Sequence, residues 1–358
     1  MEKIKDKAIF KFITVVVIPL LILIVIETKM NDYYKTVVIL LFINVILAAA
    51  TNFTNGITGI FSLGTASFMA IGAYVGSLLT LPPDMKYSRI QGIPAFIAEI
   101  KLPFFAALLI SGLFAAVFAG IIGIPILRAK GHYLAVITLG TVIVVKSLLD
   151  NLTSITNGSR GISGMEGYST LPVTVLVTVL SLYVMYRIKT SSLGRGMIAL
   201  KNDEDAAESL GISRFRVRLF SFMISAFFAG IGGCLWAHLQ RSIAPSMFYL
   251  TETFMILEMS VLGGMESLSG AIPGAAIITF FPYLLSDFST GGEIFGIKVP
   301  KINGITNIVM SVLFILVMIF RKGGIFREND YIFDAMFSPD TYSGLFKKEH
   351  DDVLKKDV

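Results

Sequence analysis

Of the 358 residues, 54% are hydrophobic and 15% charged, with a formal net charge of +5 and a mean hydropathy of +0.76. A soluble domain carries roughly 25% charged residues, so this balance excludes a chain dominated by a water-soluble domain. One lipid-embedded domain is implied instead, because apolar stretches near the roughly 20 residues that cross a bilayer recur along nearly the whole length.

The first apolar run, 12–26, follows Lys3, Lys5, Lys7 and Lys11 as a secretory leader would. It ends in Glu27, Thr28 and Lys29 without a small-residue cleavage site, and so reads as a retained first span. Further spans are expected at 36–51, 60–81, 103–127, 133–149, 170–186, 219–238, 253–263, 270–288 and 304–320. The fold class is therefore an all-α polytopic membrane protein of about ten transmembrane helices. The run 253–263 is too short to cross alone and 60–81 opens in Gly, Ser and Thr, so some crossings should be broken or half-length. Of the 30 lysines and arginines, 20 fall in the termini and in the loops 128–132 and 187–218. The positive-inside rule then places both termini in the cytoplasm, with Arg321, Lys322 and Arg327 directly after the last span. A transmembrane domain over 1–327 and a cytoplasmic tail over 328–358, mobile or lying on the membrane surface, follow. Tyr33, Tyr34 and Trp236 fall near outer interfaces and Tyr183 and Tyr186 near an inner one, where they serve either as headgroup anchors or as core.

Gly and Ser interrupt the apolar text at 52–67 and 263–274. Such breaks either free backbone to line a polar path or permit close helix contact. Asn55, Gly56, Ser62, Gly64, Gly263 and Gly264 are the candidate path residues, and Gly72 with Gly76 and Gly270 with Gly274 have the small-xxx-small spacing of helix contacts. Charges in or near spans are few: Lys146, Glu252, Glu258 and Glu266. Glu258 is placed deepest along its span, so it either borders the path or faces another subunit. Cys234, the single cysteine, reads as a small packing residue. His132, His238 and His350 have no metal-ligand spacing, and no Gly-Lys dipeptide exists to form a nucleotide-cradling loop.

The longest inter-span loop, 187–218, contains Asn202, Asp203, Glu204, Asp205, Ala206, Ala207, Glu208, Ser209, Leu210 and Gly211. It predicts a short helix capped by Asn202, with Asp203, Glu204 and Asp205 at its positive end and Gly211 as a left-handed stop. Ala206, Ala207 and Leu210 are expected on one side as a small apolar face for another protein.

Asp205-Ala206-Ala207, three residues and Gly211 resemble the Glu-Ala-Ala-x-x-x-Gly signature by which ABC importer permeases grip their ATPases, with Asp for Glu and without the later Ile-x-Leu-Pro part. GITGIFSLGTASFMAIGAYVG (Gly56–Gly76), GHYLAVITLG (Gly131–Gly140), TNGSRGISG (Thr156–Gly164), SLGRGMIALKNDEDAAESLGISRFRVRLFSF (Ser192–Phe222), VLGGMESLSGAIPGA (Val261–Ala275) and RKGGIF (Arg321–Phe326) resemble, in order, the branched-chain amino acid ABC permeases of the LivM type. Two departures stand out: family members often have an acidic residue at His132 and another soon after the TLG, where this chain has the apolar run 141–145. The resemblance implies a non-enzymatic transport subunit of a bacterial or archaeal cytoplasmic membrane. It implies a related second permease, two cytoplasmic ATPase subunits that hold ATP and Mg, and an external substrate-binding protein. Neither a cofactor nor nucleic acid is expected on this chain. Permeases for urea, short amides and other amino acids are similar, so the cargo stays open; an ion-coupled secondary transporter would share the broken helices but not the loop.

Overall fold

The computed structural model describes residues 31–90, 92–128, 133–284, 293–294, 297–298, 305–320 and 323–324. The predicted span 12–26, His132, the end of 270–288, Arg321, Lys322, Arg327 and the tail 328–358 lie outside the described residues.

The described chain is almost wholly helical. Helix α1 (Asp32–Asn52) runs into a π-helical turn, Phe53–Ile57, and an irregular stretch before α2 (Thr65–Thr80). Two short helices, α3 (Pro83–Arg89) and α4 (Ala95–Ala98), precede α5 (Phe104–Ile126), α6 (Tyr133–Asn151) and the single turn α7 (Thr153–Thr156). Next come α8 (Leu171–Thr190), α9 (Ser192–Asn202), α10 (Glu204–Ser209), α11 (Arg214–Gln240), α12 (Leu250–Gly263), α13 (Ala271–Leu284) and α14 (Ile305–Phe320). Strand is confined to two antiparallel two-residue ladders, Ile162–Ser163 with Ser242–Ile243 and Glu293–Ile294 with Ile297–Lys298.

Five of these helices are long and apolar enough to cross a membrane: α1 with its π turn, α5, α6, α8 and α11. A sixth is possible if α2 and α3, bent by 118°, make one broken span. The shorter apolar helices α12, α13 and α14 correspond to the predicted runs at 253–263, 270–288 and 304–320. Prolines mark the starts at one end of the bundle: Pro82, Pro94 and Pro103 are N-caps with extended backbone, where a missing N–H costs nothing.

The centre is a crossing of α2, α5 and α11 in which backbones nearly touch. A Cβ on Gly72 would lie 2.1 Å from the Gly230 carbonyl oxygen, and one on Gly233 would lie 2.0 Å from that of Met69. Lipid tails are as apolar as leucine, so helices in a membrane gain from such close van der Waals fit more than from the hydrophobic effect. Cys234 is buried in this seam. Trp236 and Tyr186, read as possible interface anchors, are buried core, with Trp236 edge-on to Phe248. Tyr33 and Tyr34 remain exposed at the end of α1, and Tyr33 packs edge-on against Tyr283. Leu109, Leu113, Phe114, Val117 and Ile121 leave one side of α5 apolar and exposed, as a lipid-facing stripe would be.

One buried charge has a purely local explanation. The Lys86 ammonium, fully enclosed, donates to the carbonyls of Ile97, Ala98 and Ile100 and so ties α3 to the segment before α5.

Candidate functional site

One end of the bundle gathers both polar breaks and the loop 187–218. The break after α1 leaves no helical ladder between Thr58 and Gly64, and in apolar surroundings each freed group needs a partner. Side chains supply several of them. Ser62 N–H donates to Asn55 Oδ1 at 2.9 Å, Asn55 Nδ2 donates to the Ser62 carbonyl at 3.0 Å, and Leu63 N–H donates to Thr138 Oγ1 at 2.9 Å. Gly64 N–H donates to Ser62 Oγ at 3.2 Å, and Ile60 N–H to the Thr54 carbonyl at 3.1 Å.

The second break, between α12 and α13, is held against the first. Asn52, buried at the end of α1, donates to the Gly264 carbonyl at 3.2 Å and to the Ser267 carbonyl at 2.7 Å, while its own Oδ1 accepts from Ser260 Oγ. Gly56 sits so close that a Cβ there would be 1.7 Å from the Met265 carbonyl oxygen. Gly263 faces the Gly270 carbonyl, and a Cβ on Gly274 would meet that of Met259 at 1.9 Å. Asn55, Gly56, Gly263 and Gly264 therefore lie in one interlocked block of the two breaks.

Ser62 and Thr65, with Thr51, Leu63, Thr253, Ile256 and Leu257, line a closed crevice beside that block, too small to hold a water molecule. Gly64 is buried beside it, close to Thr141 Oγ1. Glu258 is half-buried on the same side of α12 as exposed Phe254. Although Glu258 lies further along α12, Glu252 is the more enclosed carboxylate: its Oε1 is buried without a hydrogen-bond partner. Near that end of α12, Lys146 pairs with Asp150 at 2.8 Å and lies 5.5 Å from the ring centre of Tyr249.

The loop is more helical than its sequence predicts. Helix α9 runs through Asn202, so the cap of α10 is Asp203, not Asn202. The Asp203 backbone is extended, and its Oδ1 accepts from the N–H groups of Asp205 and Ala206, each at 3.0 Å. Only six residues, Glu204–Ser209, form the helix. Gly211 has φ +82°, the left-handed stop that its position suggests. The apolar face is also split: Ala207 is buried against its own chain, whereas Ala206 is exposed and Leu210 is 81% exposed. The physical cause is electrostatic. Arg214 pairs with Glu204 at 2.8 Å, Glu208 at 3.0 Å and Asp205 at 3.3 Å, and Arg218 with Glu204. These pairs extend α11 five residues beyond its predicted apolar start and turn α10 so that Ala207 faces inward. A groove of about 740 Å³ lies beside it, lined by residues that include Leu127, Glu208, Ile212 and Phe215.

An all-α bundle with five, or up to six, apolar helices long enough to cross a membrane among the described residues is a multi-pass membrane protein. The family model described as "Branched-chain amino acid transport system / permease component" matches residues 33–320, and this chain belongs to that family. It is 33% identical over 317 residues to the "High-affinity branched-chain amino acid transport system permease protein LivM" of Escherichia coli (strain K12), covering 79% of this chain and 67% of that protein. It is 30% identical over 156 residues to the "Probable branched-chain amino acid transport permease protein LivH" of Methanocaldococcus jannaschii, covering 42% of this chain and 48% of that one. A more distant likeness, 26% over 290 residues, links it to the "Ribose import permease protein RbsC" of Haemophilus influenzae, covering 74% and 82%. No solved structure matches.

Proposed function

We propose that this chain is the membrane permease of an ATP-driven importer for branched-chain amino acids, docking its ATPase through α10. The observation that carries the reading is the geometry of that element: a capped helix with a glycine stop, pinned to α11 by ion pairs, that leaves Leu210 and Ala206 exposed at the end of a membrane bundle. Leu210, 81% exposed, and Ala206 are the apolar surface of α10 that a docked subunit would cover. The importer acts with a related second permease, two cytoplasmic ATPase subunits carrying ATP and Mg, and an external binding protein; this chain itself holds no nucleotide. Its place is a bacterial or archaeal cytoplasmic membrane, with ten spans over 1–327, both termini cytoplasmic and a cytoplasmic tail over 328–358. The relatives named for branched-chain amino acids support the cargo.

Reconstitution of the permeases and ATPases in proteoliposomes with the binding protein tests this. The expected result is ATP-dependent leucine uptake that isoleucine and valine compete and urea does not. Uptake of urea without leucine would reassign the cargo, and uptake driven by an ion gradient without the ATPases would overturn the importer.

The translocation path runs along the open face of α12 and past the closed crevice at Ser62, with Gly64 beside it, and is completed by the second permease. Asn55, Gly56, Gly263 and Gly264 hold its inner end in shape. Placing a carboxylate there is costly in a membrane unless it faces a polar cavity or a partner, so Glu258→Gln should lower uptake several-fold while the complex still assembles. Unchanged uptake rate and affinity would leave Glu258 as a packing residue.

A further inference from the structure

The helical segment α9–α10 and the block formed by the two breaks meet around Lys201. Lys201, in the last turn of α9, reaches Glu266 with Nζ 2.5 Å from Oε1. On the way its stem crosses Gly59, which has φ +73° and lies so close that a Cβ there would be 3.1 Å from Lys201 Cγ. Glu266 is anchored from the other side. Its backbone nitrogen would be 2.9 Å from a Cβ on Gly56, and its neighbours Gly264 and Ser267 are the two carbonyls held by Asn52. Asn52 in turn accepts from Ser260 of α12, two residues beyond Glu258. A cavity of about 300 Å³, lined by Gly56, Ile57, Lys189, Ile198, Asn202 and the pair itself, lies beside this contact.

We propose that the Lys201–Glu266 ion pair is the tie that positions the inner turn of the path according to the state of the docked ATPase. This rests on the importer reading above. The side chains of the pair are 27% and 41% exposed, and ion pairs this accessible add little to stability. The value of the pair is then positional. A displacement of α10 is carried by Lys201 to Glu266, thence through the Gly264 and Ser267 carbonyls to Asn52 and α12, while the cavity beside the pair leaves room for the shift. Lys201 and Glu266 are positioning residues and touch no cargo.

Lys201→Met, Glu266→Gln and the exchanged pair Lys201→Glu with Glu266→Lys test this in the complete complex in lipid, with ATPase retention, basal hydrolysis, substrate-stimulated hydrolysis and uptake measured together. Methionine and glutamine keep the stem against Gly59 and the shape of the carboxylate, so each single variant should fold and retain its ATPases at basal activity. Both should lose substrate stimulation and lower uptake by about 2- to 30-fold, the range typical of residues that transmit coupling. The exchanged pair should recover most of the loss. Unchanged stimulation and uptake in both single variants would overturn the tie, as would losses that the exchange does not repair. A wild-type chain that retains no ATPase would instead remove the importer reading on which the tie rests.

Discussion

Replacing Ala206 by tryptophan or Leu210 by glutamate should abolish uptake, with a loss of at least about tenfold, while the membrane bundle stays intact. Both side chains are exposed and neither contributes to the packing of its own loop. A tryptophan at 206 fills the space that a partner surface must enter, and a glutamate at 210 places a charge in what would be a desolvated contact, a change that costs several kcal/mol at interface centres. Loss of the ATPase subunits from the purified permease is the primary expected result, and lost hydrolysis stimulation and uptake follow from it. Ala207→Trp serves as the contrast. Its target is 2% exposed and faces the chain's own interior, so it should disturb the loop itself and lower the thermal stability of the permease even without partners. Gly211→Val acts through a third cause, since a β-branched residue at φ +82° is strained although no neighbour obstructs its Cβ. Normal retention, hydrolysis and uptake in the Ala206 and Leu210 variants would reduce α10 to a connector.

The second large effect is expected at Gly56. Valine there drives a Cβ to within 1.7 Å of the Met265 carbonyl oxygen, and neither side of that contact is a flexible side-chain end. The block of two breaks would have to separate, exposing Asn52, Ser267 and the Gly264 carbonyl in apolar surroundings. Overpacking of a core typically costs about 1–3 kcal/mol, and the added loss of buried hydrogen bonds takes Gly56→Val above that range. The expected result is a sharp fall in monodisperse protein after detergent extraction, with a lowered Tm for the remainder. Gly140→Ala is the matched control, because a Cβ at Gly140 meets nothing within 4 Å; it should be neutral. Wild-type yield and Tm for Gly56→Val would mean that the two breaks are not packed as described.

The apolar runs located the five long apolar helices without any tertiary information, because the length of a helix that buries its backbone in lipid is a property of sequence alone. The starts at 103 and 170 agree with α5 and α8 to within one residue, and the Gly, Ser and Thr that open 60–81 pointed to a broken crossing, where α2 begins only at Thr65. The short helix of the loop was legible as well: its carboxylates, small residues and terminal glycine are local signals. Where a neighbour decides, the sequence was silent or misleading. Asn202 and Asp203 are both good caps, and the choice fell to Asp203 because α9 extends through Asn202. Three apolar residues on a short helix suggested a single face, but Arg214 and Arg218 drew the acidic side of α10 onto α11 and buried Ala207 while leaving Leu210 in the open. Glycine spacing announced close contacts without naming the partner, which for Gly56 is a carbonyl more than 200 residues away. Lys201 and Glu266, 65 residues apart, carry no pattern that links them. Their pairing exists only because Asn52 and Gly56 hold one break against the other, and long-range contacts of that kind are decided by packing.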